Sequence, residues 1–149
     1  MKIAIGNDHV GYELKLYIKE FLEKQGHEVT DAGAHDGGRS DYPVYAMKVS
    51  QLVLTGGCER GILICGTGNG ISLAANKVRG IRCVLCSEPY TARLARLHND
   101  ANILAFGARV IGPAMAEMLV NEFLCNDFEG GRHGERLNII KRIEAGEHL

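Results

Sequence analysis

The segment Cys65-Gly66-Thr67-Gly68-Asn69-Gly70 sets a thiol against glycines at every second position. Between a buried strand and a helix start, such a turn can aim several backbone N–H groups and the helix dipole at an anion. By spacing alone, G-x-G-x-G equally describes a tight connection that needs positive φ angles. It departs from the dinucleotide fingerprint, whose third glycine comes one residue later, and it lacks the Lys-Ser/Thr of a P-loop. Cys65 adds chemistry to the turn. The last strand position before a helix N-terminus favours a thiolate, which can serve as a nucleophile or a base. A cysteine phosphatase would need arginine where this chain has Ile71, so proton transfer is the better role.

Other reactive side chains lie at separate points along the chain. Asp8-His9 follows the first apolar run, and His98-Asn99-Asp100 precedes the last one. Arg132 and Arg136 are four apart, so a helix would put both on one face. With Arg109 they could clamp a dianionic phosphate, which guanidinium forks suit. Cys83 and Cys86 have C-x2-C spacing but fall inside a strand, so they are read as structural; Cys58 and Cys125 carry no signal. No motif has the ligand spacing of a metal site.

The elements that must position these groups follow from hydrophobic periodicity. Lys2 to Gly6 reads as a strand, and Leu14, Ile18, Phe21 and Leu22 mark one face of a helix ended by Gly26. His27 to Ala32 is a second strand, followed by a Gly/Asp-rich loop and a helix start at Asp41-Tyr42-Pro43. Tyr45, Val49, Leu52 and Val53 continue that helix. Gly61 to Cys65 is continuously apolar, as in a parallel strand covered on both faces. Ile71, Ala74, Ala75 and Val78 predict a short helix that can pack closely on a sheet. Ile81 to Cys86 and Asn102 to Gly107 are two more strands, each followed by a helix with proline near its start, Pro89 and Pro113. A last helix through Leu137, Ile140 and Ile143 follows the polar loop Glu129 to His133.

This alternation predicts a three-layer α/β/α Rossmann-like domain over residues 1–149, with a five-stranded parallel sheet and a C-terminal helix. Ligands in such sheets bind at the carboxyl ends of the strands, which selects the loops at Asn7-Asp8-His9, Cys65–Gly70, Ser87-Glu88, Gly107–Arg109 and Gly33–Tyr42. A net charge of -1 gives no pull toward nucleic acid or an anionic membrane. No run approaches a membrane span, and the N-terminal apolar run is too short for a signal peptide. An odd number of cysteines, five, points to reduced thiols and a cytoplasmic location.

Taken in order, several segments resemble the ribose-5-phosphate isomerase B family, which also includes galactose-6-phosphate and allose-6-phosphate isomerases. They are Gly6–His9, Ser40–Pro43, Cys65–Ser72, Ala74–Lys77, Ser87–Tyr90, Arg96–Asn102 and Gly130–His133. The resemblance implies strand order 2-1-3-5-4 and a homodimer, in some members paired into a tetramer, with active sites shared between subunits. It implies interconversion of an aldose phosphate and its ketose without metal or cofactor, ribose 5-phosphate and ribulose 5-phosphate being the leading pair. Six-carbon sugar phosphates, or a non-catalytic sugar-phosphate sensor, are the alternatives. Carried across, His98 opens the sugar ring with help from Asp8, and Cys65 moves a proton between C2 and C1. Thr67 assists proton movement between O1 and O2, and Gly66, Gly68, Asn69 and Gly70 lie in the loop that cradles the enediolate. Tyr42 and Asn99 touch sugar hydroxyls, while His9, Arg109, Arg132 and Arg136 surround the phosphate. Some members place a glutamate where Ile71 stands, so this chain resembles the cysteine-base branch.

Overall fold

The computed structural model describes all residues, Met1–Leu149. Strands β1 (Lys2–Asn7), β2 (Glu28–Asp31), β3 (Arg60–Cys65), β4 (Cys83–Leu85) and β5 (Ile103–Gly107) alternate with helices α1 (Tyr12–Lys24), α2 (Tyr42–Leu54), α3 (Asn69–Ala75), α4 (Pro89–Asn99) and α5 (Pro113–Leu124). Helix α6 (Arg132–Glu144) follows. Every strand pairing is parallel, in the order β2-β1-β3-β5-β4. That is the order the family resemblance implies.

Two apolar layers cover the sheet, and side-chain alternation decides which residue enters which. Ile3, Ile5, Ile62, Ile64, Leu104 and Phe106 join Ile18, Leu22, Leu119 and Phe123 in the layer of α1, α4 and α5. Their strand neighbours Ala4, Leu63, Cys65, Ile103 and Ala105 face Ala46, Val49, Ile71 and Ala75 of α2 and α3. The period of two thus turns Cys65 toward α3, whose start lies four residues further on. Gly61 lets α2 ride close to the sheet, because a Cβ there would lie 2.7 Å from Val49.

Proline opens α2, α4 and α5 at the first or second helical position, where the missing N–H costs nothing. Glu88 caps α4, accepting the N–H groups of Tyr90 and Thr91 at 2.7 and 2.9 Å. Several boundaries differ from the sequence reading: β2 is one residue shorter at each end, and α3 stops at Ala75, leaving Val78 beyond it. β4 is only three residues because it is an edge strand, paired with β5 alone. α6 begins at Arg132, so His133 is helical rather than part of the preceding loop. Within α6 only His133 and Leu137 are buried, while Ile139, Ile140 and Ile143 are exposed. No helix is long and apolar enough to cross a membrane.

Candidate active site

Cys65 ends β3 with 4 % of its surface exposed, at the start of the glycine turn. Gly68 supplies the N-cap of α3 at φ 81°, a left-handed conformation that costs glycine little. It is also crowded: a Cβ there would stand 2.4 Å from Leu85 Cδ1 and 2.9 Å from the Phe106 carbonyl carbon. The N–H of Gly68 donates to Cys65 Sγ at 3.1 Å, and that of Asn69 donates to Thr67 Oγ1 at 3.3 Å. The N–H groups of Gly66, Thr67, Gly70 and Ile71 have no acceptor within the chain. A helix start always leaves donors open. Here the glycine turn adds those of Gly66 and Thr67 and sets all of them beside a thiol.

Neighbouring loops close around this turn. Cys65 and Gly66 carbonyls accept the N–H groups of Ala108 and Arg109 at 2.8 and 3.0 Å, tying the β3 and β5 loops together. Arg109 lies along Gly66, its Nη1 4.0 Å from where a Gly66 Cβ would be. The Tyr42 ring covers Gly70, leaving no room for a side chain there. Asp8 donates its N–H to the Ile64 carbonyl at 3.2 Å, beside Cys65. Its Oδ1 accepts from Val10 and Gly11 at 2.9 and 3.1 Å, and the carboxylate is buried. His9 and Ser40 bond reciprocally: His9 N–H donates to Ser40 Oγ at 2.9 Å, and Ser40 N–H donates to His9 Nδ1 at 3.3 Å. An accepting Nδ1 assigns the neutral ring's proton to Nε2. Asn7, just before Asp8, is fully buried; its Nδ2 donates to the Asp8 carbonyl at 2.7 Å, while Oδ1 has no partner.

The remaining sequence-derived site residues form a second cluster elsewhere. α4 starts beyond the carboxyl end of β4 and runs back to the start of β5, so His98 and Asn99 lie near the amino ends of the strands. Cys65 pairs with Gly107 at the far end of β5 from Ile103, four residue steps or about 13 Å of strand. His98 stacks face to face on His133, ring centroids 4.0 Å apart and planes 6° from parallel. Both Nε2 atoms lie 3.7 Å from Glu129 Oε2. Burial, then the charges of His98 and Arg132, hold His133 below the ordinary imidazole value, with Glu129 opposing and Arg136 adding. Arg132 and Arg136 are exposed on the first turns of α6, and neither has a carboxylate partner.

Composition alone would let His98, Glu129 and His133 bind a metal ion. The stack does not suit one. An imidazole nitrogen binds along its lone pair, in the plane of its ring, and two parallel planes cannot both contain one ion about 2 Å from each nitrogen. Cys83 and Cys86 are buried thiols; desolvation pushes Cys83 up to about 12 and raises Cys86 as well, so neither is a poised thiolate. Sequence reading missed His133 and Glu129. The available signal was spacing: His133 lies four before Leu137, the other buried position of α6.

A family model described as Ribose/Galactose Isomerase matches residues 3–140. The chain is 54% identical over 143 residues to ribose-5-phosphate isomerase B of Escherichia coli, covering 96% of each chain. It is 38% identical over 144 residues to galactose-6-phosphate isomerase subunit LacB of Clostridium acetobutylicum, covering 97% of this chain and 82% of that one. Among solved structures, ribose-5-phosphate isomerase B of Clostridium thermocellum superposes with a TM-score of 0.97 at 53% identity, covering 98% of this chain and 99% of the other. The Mycoplasma genitalium ribose-5-phosphate isomerase B with bound ribulose-5-phosphate gives 0.93 at 39% identity, covering 98% and 97%.

Proposed function

The chain belongs to the ribose/galactose isomerase family, and from that premise we propose that it interconverts ribose 5-phosphate and ribulose 5-phosphate with Cys65 as base. The observation that carries the reading is the Cys65 sulfur, held by the Gly68 N–H beside four backbone donors without acceptors.

The chemistry follows from that arrangement. His98 takes the O1 hydroxyl proton and supplies one to the ring oxygen, breaking the C1–O4 bond and giving the open aldehyde. The Cys65 thiolate then removes the proton from C2, whose electrons form the C1–C2 double bond as charge passes to O1. Fixed N–H donors meet that charge; a single oxyanion-hole donor is worth about 3 kcal/mol in comparable sites. Thr67 carries a proton between O2 and O1, and the Cys65 thiol returns its proton to C1 as the C2 carbonyl forms. Oxidation at C2 balances reduction at C1, so the step needs no external redox partner. Asp8 supports ring opening, and Tyr42 and Asn99 bind hydroxyls. His9, Arg109, Arg132 and Arg136 hold the phosphate, whose binding energy fixes the reacting carbons.

These roles need two copies of the chain. Cys65 and Arg109 lie at one end of the sheet, His98 and the α6 arginines at the other, so a site using both sets is shared across a homodimer. The exposed isoleucines of α6 support such an interface. Five free cysteines are in keeping with a cytoplasmic enzyme.

Parallel assays on ribose 5-phosphate, allose 6-phosphate and galactose 6-phosphate test the substrate, with the highest kcat/KM expected on the pentose. Preference for either hexose would replace the five-carbon reading. Cys65→Ala should lower kcat by about 10²–10⁴-fold at little changed KM. Near-normal turnover in that variant would overturn the base assignment.

A further inference from the structure

We propose that His133 and Glu129 are positioning residues for His98, holding its ring flat and in register for sugar-ring opening. This rests on the ring-opening role of His98 proposed above.

The geometry assembles three elements around one imidazole. His98 comes from the last turn of α4, His133 from the first turn of α6, and Glu129 from the segment between α5 and α6. Glu129 is itself fixed, its N–H donating to the Leu97 carbonyl at 3.0 Å, one residue before His98. His133 is buried while the His98 side chain keeps 32 % of its surface exposed. The pair therefore has a wall and an open member: the wall covers one face of His98 and leaves its other face and edge for a ligand. An exposed imidazole on a helix terminus ordinarily samples several rotamers, and a catalytic group that does so wastes much of its time out of reach. A parallel ring 4.0 Å away restricts it.

The charges divide between the rings in the same sense. Loss of water first, then His98 from α4 and Arg132 and Arg136 from α6, oppose a proton on His133, and Glu129 favours one. Two stacked imidazolium rings would repel, and of the two rings His98 is the better solvated. Glu129 Oε2 faces both Nε2 atoms and can balance positive charge that forms on either ring during proton transfer.

The test separates ring opening from proton transfer at carbon. The first readout is kcat on ribose 5-phosphate across pH. The second is wild-type and variant exchange of the C1 hydrogens of ribulose 5-phosphate in D2O, followed by NMR. That ketose is open-chain because its O5 is esterified, so exchange needs Cys65 and no ring opening. Folded His133→Asn should lose about tenfold in kcat, part of the 10²–10⁴-fold that a placed acid–base group supplies, with KM and C1 exchange retained. His133→Phe, which keeps a flat wall without nitrogen, should restore most of kcat. Glu129→Gln should leave the stack in place but move the acidic limb of the kcat profile. If His133→Asn and Glu129→Gln match wild type while His98→Asn is impaired, the positioning role is wrong and the ring-opening assignment stands. Equal loss of exchange and turnover in His133→Asn would also overturn it, as would failure of His133→Phe to recover kcat. If His98→Asn itself turns over ribose 5-phosphate normally, the underlying reading fails.

Discussion

A heterodimer carrying Cys65→Ala in one subunit and His98→Asn in the other should recover activity that neither homodimer has. In each homodimer both sites lose one group, with an expected fall of about 10²–10⁴-fold in kcat. The heterodimer's outcome depends on where the two groups meet. Each must come within roughly 3 Å of atoms on the first carbons of one sugar. Inside one chain this is out of reach, since β5 alone separates the two ends of the sheet by about 13 Å, and α4 spans about 16 Å in returning between them. In a shared site, one of the two sites of the heterodimer receives wild-type Cys65 from one chain and wild-type His98 from the other. Its partner site lacks both. Purified heterodimer, made by co-expression with two affinity tags, should then show about half the wild-type kcat under two-fold symmetry, with KM unchanged. Activity as low as that of the homodimers, in heterodimer verified by intact mass, would refute the shared site. His98 would then act in some other way.

Other outcomes follow from the packing. Gly68→Ala should cost about 2–3 kcal/mol, because the added methyl meets backbone as well as a left-handed φ. Gly56→Ala, at φ 76° in open space, should cost only about 1 kcal/mol; equal urea midpoints for the two would remove crowding as the reason. Lys15 is buried, its Nζ donating to Asp31 Oδ2 at 2.8 Å and the Ala34 carbonyl at 3.1 Å. Lys15→Met keeps the stem and deletes the charge, and should destabilise by about 2 kcal/mol in urea unfolding, as Asp31 retains some exposure; no change would mean the pair only breaks even. Burial, the largest cause in each, holds His27 and His133 below the ordinary imidazole value of 6.5. The unfolded chain takes up those protons first, so their stabilising contribution is full above that value and is lost as pH falls through it toward the folded-state values. The urea midpoint should drop between about pH 7.5 and about pH 5.5, and drop less in His133→Asn. An identical drop in that variant would exclude His133 as a source.

Much of the molecule was legible as sequence because the governing interactions are local. The apolar run to Cys65, the glycines after it and the prolines at helix starts each act within a few residues, so β3, the turn and α3 could be read directly. Arg132 and Arg136 share a helix face for the same reason. The glycine turn itself stayed ambiguous, since a tight connection and an anion cradle need the same residues. Family likeness supplied the strand order, which periodicity could not, because pairing is decided by which buried faces fit across the whole sheet. Tertiary structure decided three further things. It aimed the Gly68 N–H at the Cys65 sulfur. It turned His133 inward to stack on His98, from a helix whose isoleucines remain outside. And it put Cys65 and His98 at opposite ends of one sheet, a separation created by α4 running back along strands that all point the other way, which no spacing along the chain records.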